Sequence, residues 1–180
     1  MIKVKDITLK VKEILITEEQ IRQKVKELGQ KISEDYKDSD DFLMVCILKG
    51  GVVFMADLLR QITIPVKIEF MAVSSYGNST SSSGIVRILK DLDTSIEGKD
   101  VLLVEDIVDT GLTLKYITEY LRGRRPRSLR ICTMLDKPSR RKVDVEIHYK
   151  GFEIPDKFVI GYGLDYAGLY RNLPYIGVLE

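Results

Sequence analysis

Residues 101–113 read Val-Leu-Leu-Val-Glu-Asp-Ile-Val-Asp-Thr-Gly-Leu-Thr. The aliphatic run from Val101 to Val104 shows no polar alternation, as expected of a strand buried on both faces of a parallel sheet. Two adjacent carboxylates follow, Glu105 and Asp106, then a short loop, Asp109-Thr110-Gly111-Leu112-Thr113. A helical pattern runs on from Leu112 to Arg122. Strand, acids, loop and helix in this order predict an α/β fold, in which ligands bind beyond the carboxyl ends of the strands. A loop entering a helix offers unpaired N–H groups and the positive end of the helix dipole, which suit a phosphate. Gly111 lets the backbone approach an anion or take a positive φ, and Thr110 and Thr113 add hydroxyl donors. Carboxylates repel a bare phosphate. They suit a phosphate carried on a sugar, whose neighbouring hydroxyls donate to Glu105 and Asp106, and they help to hold a hard cation such as Mg2+. A ribose 5-phosphate meets both demands. A lone Asp-Thr-Gly reads as an ordinary strand-to-helix turn with a threonine cap; the whole run does not.

The chain has 180 residues, enough for one domain with a sizeable core. A net charge of +1 gives no bulk attraction to nucleic acid or to a membrane surface. The charged fraction of 31% exceeds the usual ~25% and points weakly to a heat-adapted source. Cys46 and Cys132 sit inside apolar runs and read as small buried hydrophobes rather than a disulfide or a metal pair. No signal peptide and no long apolar span is evident, so a soluble, cytoplasmic protein is expected.

A second strand–loop–helix unit precedes the first. Phe42 to Leu48 is a continuous apolar run, followed by Lys49-Gly50-Gly51 and a helical stretch from Val52 to Gln61. Alone, that loop reads as a glycine-rich turn with a surface lysine. Beside residues 101–113 it reads as a second anion cradle. Upstream, Thr17 with Gln20 forms a capping-box pair, and Ile21, Val25, Leu28 and Ile32 recur at helical spacing, predicting a helix from Glu18 to about Tyr36. Pro65 to Val73 and Ile85 to Leu89 are strand candidates. Ser74 to Gly84 between them is polar and is expected to be a long binding loop. Ser128 to Leu135 is another buried strand, ending in Asp136-Lys137-Pro138, with Lys137 at the end where site residues sit. His148 is the one histidine and has no metal-ligand cluster around it, so a structural or surface role is expected. Gly161-Tyr162-Gly163 lacks the third glycine of a dinucleotide fingerprint.

Residues 101–113 resemble the 5-phosphoribosyl-1-pyrophosphate (PRPP) signature of type I phosphoribosyltransferases: an aliphatic strand, two acids, two variable residues, then Asp/Ala-Thr-Gly-x-Thr. Further segments resemble the hypoxanthine-guanine branch of that family, in the family's order. Leu48-Lys49-Gly50-Gly51 is similar to its pyrophosphate loop, in which the peptide entering the lysine can be cis, so a cis Leu48–Lys49 peptide is expected in at least some states. Ser75-Tyr76 is similar to the Ser-Tyr pair of its mobile catalytic loop. Gly-Phe-Glu-Ile-Pro-Asp-Lys-Phe-Val-Ile-Gly-Tyr-Gly-Leu-Asp, residues 151–165, with Asp165-Tyr166 and Arg171-Asn172-Leu173-Pro174, is similar to its C-terminal purine-binding segment.

The resemblance implies a single type I phosphoribosyltransferase domain over residues 1–180: a mostly parallel five-stranded sheet flanked by helices, with a core of about residues 36–160. A small hood of residues 1–15 and 161–180 and a flexible lid loop complete it. The implied reaction moves the 5-phosphoribosyl group from PRPP to N9 of hypoxanthine or guanine and releases pyrophosphate. Glu105, Asp106, Asp109, Thr110, Gly111, Leu112 and Thr113 would hold the ribose and its 5-phosphate. Lys49, Gly50 and Arg171 would take the pyrophosphate, and Glu105, Asp106 and Asp165 would hold Mg2+. Lys137, Phe158, Val159 and Asp165 would bind the purine, Lys137 donating to its 6-oxo group and Phe158 stacking on its face. Asp109 would be the general base, with Ser75 and Tyr76 in the lid. A homodimer or homotetramer is implied, with no nucleic-acid or membrane partner. The rival readings are a phosphoribosyltransferase for xanthine or another base, and a PRPP-sensing regulator that binds nucleic acid. Lys137 argues against adenine, whose amino group would face a donor.

Overall fold

Strand β5 (Asp100–Val108) lies at the middle of a six-stranded sheet of order β4-β3-β2-β5-β6-β7 in a computed structural model that describes residues 11–76 and 85–179. Its neighbours are β2 (Phe42–Leu48) and β6 (Ser128–Asp136), and both pair with it in parallel. Outside them, β3 (Lys67–Tyr76) and β7 (Tyr149–Glu153) are also parallel. The expected mostly parallel sheet therefore has its five parallel strands, and a sixth, β4 (Ile85–Lys90), closes one edge antiparallel to β3.

That edge corrects one expectation. Ser74, Ser75 and Tyr76, read from sequence as loop, are the end of β3, with Ser75 opposite Val86 and Tyr76 opposite Ile85. Serines carry little strand preference of their own, but backbone pairing with β4 is indifferent to side-chain type. The remainder of the expected lid, residues 77–84, lies outside the described residues.

Alternation along the central strands sorts their side chains onto two faces. Met44, Cys46, Leu102, Val104 and Cys132 face one layer with α1 (Glu18–Asp35) and α2 (Val52–Leu59). Leu43, Val45, Val101, Leu103 and Ile131 face the other with α3 (Leu112–Arg122), through Leu114, Ile117 and Leu121. Both cysteines are buried and free; burial pushes the Cys46 thiol up to about 12, and that of Cys132 up as well. Helix α1 starts as expected. Thr17 Oγ1 accepts from Gln20 N at 3.2 Å and Gln20 Oε1 accepts from Thr17 N at 2.9 Å. Its stripe of Ile21, Val25, Leu28 and Ile32 is part of the core, so a core beginning near residue 36 is too narrow: α1 belongs to it.

A second, three-stranded antiparallel sheet stands at one end, in the order β1 (Val11–Ile16), β9 (Ile176–Leu179), β8 (Val159–Ile160). Residues from near both chain ends thus form one small layer. It starts at Val159, two residues before the expected hood boundary at 161, because Val159 and Ile160 pair with Val178 and Gly177.

At the opposite end of β5 from its acids, Asp100 is an electrostatic anchor. Its carboxylate accepts from Arg127 Nε at 3.1 Å, from Ser128 Oγ at 2.7 Å, and also from Ser39 Oγ and Arg127 Nη2. Its side chain is only 12% exposed. The Arg127 guanidinium, with the two hydroxyls, holds its pKa at about 2 against the ordinary 3.8. A depressed carboxylate pKa contributes stability that is full above the unfolded value and is lost as pH falls through the folded one. Asp100→Asn should therefore cost about 2 kcal/mol at neutral pH. It should also flatten the loss of stability between about pH 4 and pH 2. Urea unfolding across that range checks it; an unchanged pH slope in the variant would overturn it.

Candidate functional site

The two acids lie in strand β5, not after it. The sequence suggested a strand ending before Glu105, but the ladder with β6 continues, pairing Glu105 with Thr133, Ile107 with Leu135 and Val108 with Asp136. The backbone hydrogen bonds of the neighbouring strand carry Glu105 and Asp106 along, whatever their side-chain preference. Both carboxyls therefore stand at the carboxyl end of the central strand, on a wall of a cavity of about 460 Å³.

Burial pushes the Glu105 pKa well above the usual carboxylate range, and the adjacent Asp106 charge raises it further. Asp106 is also raised by burial, offset by hydrogen bonds that include one from Ile107 N at 2.8 Å and by the positive Arg171. Among the described residues neither acid has an ion-pair partner. A half-buried, partly desolvated pair of this kind is stabilised by hydroxyl donors or by a cation.

Beyond β5 the chain turns through Asp109-Thr110-Gly111 into α3. Gly111 has φ +82° and caps the helix without a side chain, and Leu112 N donates to Thr110 Oγ1 at 3.4 Å. A β-carbon at Gly111 would meet Val143 O at 3.0 Å, so glycine is required both for the turn and for the neighbouring segment. Asp109, Thr110, Gly111 and Thr113 line the cavity, next to the N-terminus of α3.

The loop after β2 forms the opposite wall. The Leu48–Lys49 peptide is cis, as the resemblance implied. Leu48 and Gly50 line the cavity. A β-carbon on Gly50 would stand 1.7 Å from Asp106 Oδ2, and one on Gly163 would stand 2.1 Å from Gly50 O. Gly50 is thus held between the Asp106 carboxylate and the backbone of the C-terminal segment. That segment brings Arg171 and Asp165. Arg171 Nη1 donates to Gly163 O at 2.6 Å and its Nη2 pairs with Asp165 Oδ1 at 2.7 Å, while Asp165 Oδ2 accepts from Gly168 N at 2.8 Å.

The structure therefore brings Gly50, Glu105, Asp106, Asp109, Thr110, Gly111, Thr113, Asp165 and Arg171 to one cavity. It does not bring all the expected site residues there. Lys49 is exposed and Leu112 partly buried, and neither lines the cavity. Lys137, Phe158 and Val159 are not part of its lining. Lys137 is 7% exposed and donates its Nζ to Lys157 O at 2.6 Å. Phe158 is 55% exposed, edge-on to Tyr166 with centroids 5.8 Å apart. Val159 pairs within the small sheet. Ser75 and Tyr76 end β3. No cluster of three or more metal-ligating side chains exists among the described residues, so Glu105, Asp106 and Asp165 share a cavity without forming a ready-made metal cage. His148 is structural: its Nδ1 accepts from Ile131 N at 3.2 Å, and burial lowers its pKa.

Sequence reading missed Arg140, whose Nε donates to Asp109 Oδ1 at 3.0 Å. It also missed Gly163 as the backbone neighbour of Gly50. Arg140 follows Lys137-Pro138 in a 3-10 turn, Pro138–Arg140, and nothing in the local pattern distinguishes it from a solvated arginine.

A model of the phosphoribosyl transferase domain matches residues 11–167. The hypoxanthine-guanine phosphoribosyltransferase of Bacillus subtilis is 56% identical over 170 residues, covering 94% of each chain. That of Dictyostelium discoideum is 55% identical over 172 residues, covering 94% of this chain and 96% of its own. The crystal structure of a hypoxanthine phosphoribosyltransferase from Staphylococcus aureus superposes with a TM-score of 0.91 at 55% identity, covering 95% of this chain and 92% of that one.

Because a methyl group at Gly50 would overlap the Asp106 carboxyl, Gly50→Ala should force either that side chain or the loop to move. The expected cost is about 1–3 kcal/mol of stability, as for other overpacked sites. Equilibrium unfolding checks it, and a variant as stable as the parent would show that the loop yields freely.

Proposed function

We infer the function from one premise: the chain belongs to the phosphoribosyltransferase family, in its hypoxanthine-guanine branch. It is a transferase of purine salvage that moves the 5-phosphoribosyl group from PRPP to N9 of hypoxanthine or guanine, giving IMP or GMP and pyrophosphate. The observation that carries this reading is the convergence in one cavity of the paired acids, the loop at the N-terminus of α3, and Arg171. These supply acceptors for sugar hydroxyls, amides for one phosphate, and a cation for the second anionic end.

In the reaction the bond from the anomeric carbon to pyrophosphate loosens and the carbon gains positive character. Positioning and charge stabilisation are then the protein's main tasks. Glu105 and Asp106 hold the ribose hydroxyls, and the amides and hydroxyls of Thr110 to Thr113 hold the 5-phosphate. Arg171 and the backbone of Lys49 and Gly50 receive the pyrophosphate. The purine is held by Lys137, Phe158, Val159 and Asp165. The Lys137 ammonium spends one donor on Lys157 O and keeps two for a 6-oxo group. Asp109 takes the proton that the purine releases as its ring nitrogen bonds to carbon.

The residues present fit Mg2+. Glu105 and Asp106 are half-buried acids facing the cavity without an ion-pair partner among the described residues, and a hard cation takes one or two carboxylates with the rest of its shell from phosphate and water. Glu105 and Asp106, with Asp165 through water, would hold the ion, which would neutralise the pyrophosphate charge. We further propose a homodimer or homotetramer, on the family resemblance, acting in the cytoplasm; among the described residues no helix is long and apolar enough to cross a membrane.

A spectrophotometric assay with PRPP and Mg2+ against hypoxanthine, guanine, xanthine, adenine and uracil tests the reading. Product from hypoxanthine and guanine, and none from adenine or uracil, is expected. Turnover of uracil or adenine alone would reject the assignment of Lys137, and PRPP binding without turnover of any base would move the protein to the regulator class. Asp109→Asn should lower the forward rate by about 10²–10⁴-fold, with PRPP affinity little changed; equal turnover would reject the base role.

A further inference from the structure

Asp109 is tied to the purine side of the site by one side chain. Arg140 Nε donates to Asp109 Oδ1 at 3.0 Å, and its Nη1 lies 3.5 Å from Asp156 Oδ2. Asp109 is the first residue after β5, and Asp156 precedes Phe158 by two positions, so a single guanidinium spans the phosphate loop and the connection that carries the base-binding residues. Its own backbone is held firmly. Lys137 N donates to Val108 O at 2.9 Å and Lys142 N donates to Thr110 O at 2.9 Å, one bond on either side of Asp109. The Lys137 Nζ bond to Lys157 O ties the same segment to the other bank.

We propose that Arg140 is a positioning residue for the transfer reaction: a clamp that orients the Asp109 carboxylate and sets its place relative to the bound purine. The proposal rests on the reading of Asp109 as the general base. Three physical features support it. Arg140 and Asp109 are each 41% exposed, and an ion pair that open adds little to folding stability, so orientation rather than stability is its use. The bond occupies Oδ1; Oδ2 has no hydrogen-bond partner among the described residues, which leaves that oxygen for the purine proton. A guanidinium is a rigid planar fork able to address two carboxylates at once, whereas a lysine is a single flexible point charge.

The test is a double-mutant cycle in the PRPP–hypoxanthine assay, with Arg140→Ala, Asp109→Asn and both together. Arg140→Ala should lower turnover about tenfold or more through misplacement of the base. The KM for PRPP should stay within about twofold, because uniform binding of that substrate is untouched. The loss should vanish in the Asp109→Asn background, as expected of residues acting as one unit. Guanidinium ion added to Arg140→Ala should restore turnover, and Arg140→Lys should restore it only partly. The thermal midpoint should be unchanged in each. Unchanged turnover in Arg140→Ala, or a loss that persists in full in the Asp109→Asn background, would overturn the clamp. An impaired Asp109→Asn beside either result leaves the base reading standing and removes only the clamp; an active Asp109→Asn removes the base reading itself.

Discussion

A strand that is hydrogen-bonded along both edges and covered on both faces has one place left for chemistry, its end. Strand β5 is in that position, between β2 and β6 and between the α1/α2 layer and α3. Its body of Val101, Leu102, Leu103 and Val104 is fully buried. Parallel pairing sends the carboxyl ends of β2, β5 and β6 to the same edge of the sheet, so the loops after them meet without any long connection. The placing of the two acids, the loops after β2 and β5, and Lys137 at one edge follows from that shared register.

What makes the meeting close is the absence of side chains at two points. Gly50 lies against the Asp106 carboxylate, and Gly163 lies against Gly50 O. The contact couples three stretches of chain, so the C-terminal segment that carries Asp165 and Arg171 is set by the same contact that sets the loop after β2. Arg171 continues the coupling through its bond to Gly163 O and its pair with Asp165.

Charge is distributed along the sheet in a consistent way. At the amino end of β5, Asp100 is surrounded by donors and held ionised. At the carboxyl end, Glu105 and Asp106 are desolvated and have no ion-pair partner among the described residues, and their affinity for protons rises. One end of the strand uses its carboxylate to anchor the fold. The other keeps two carboxylates in a state that favours hydroxyl donors or a cation.

Much of this was legible in the chain itself. Helix α1 begins at its capping box because Thr17 and Gln20 interact within one turn. Helix α3 runs over the predicted residues, and β2 and the Val101–Val104 body of β5 are continuous apolar runs, so their burial follows from composition alone. The turn after β5, with Gly111 at positive φ, is a local feature tied to a local motif, and the cis peptide before Lys49 was implied by the family resemblance of Leu48-Lys49-Gly50-Gly51. The rest depended on partners far away in sequence. Strand β3 extends through Ser74, Ser75 and Tyr76 because β4 supplies its hydrogen bonds. Glu105 and Asp106 are strand residues because β6 continues beside them. Arg140 meets Asp109, and Gly50 meets Asp106, only because the sheet register sets their loops side by side. Local patterns determine which elements form, since propensity, capping and periodicity act within a few residues. Which loops touch is decided by tertiary packing, since only the folded sheet brings its strand ends together.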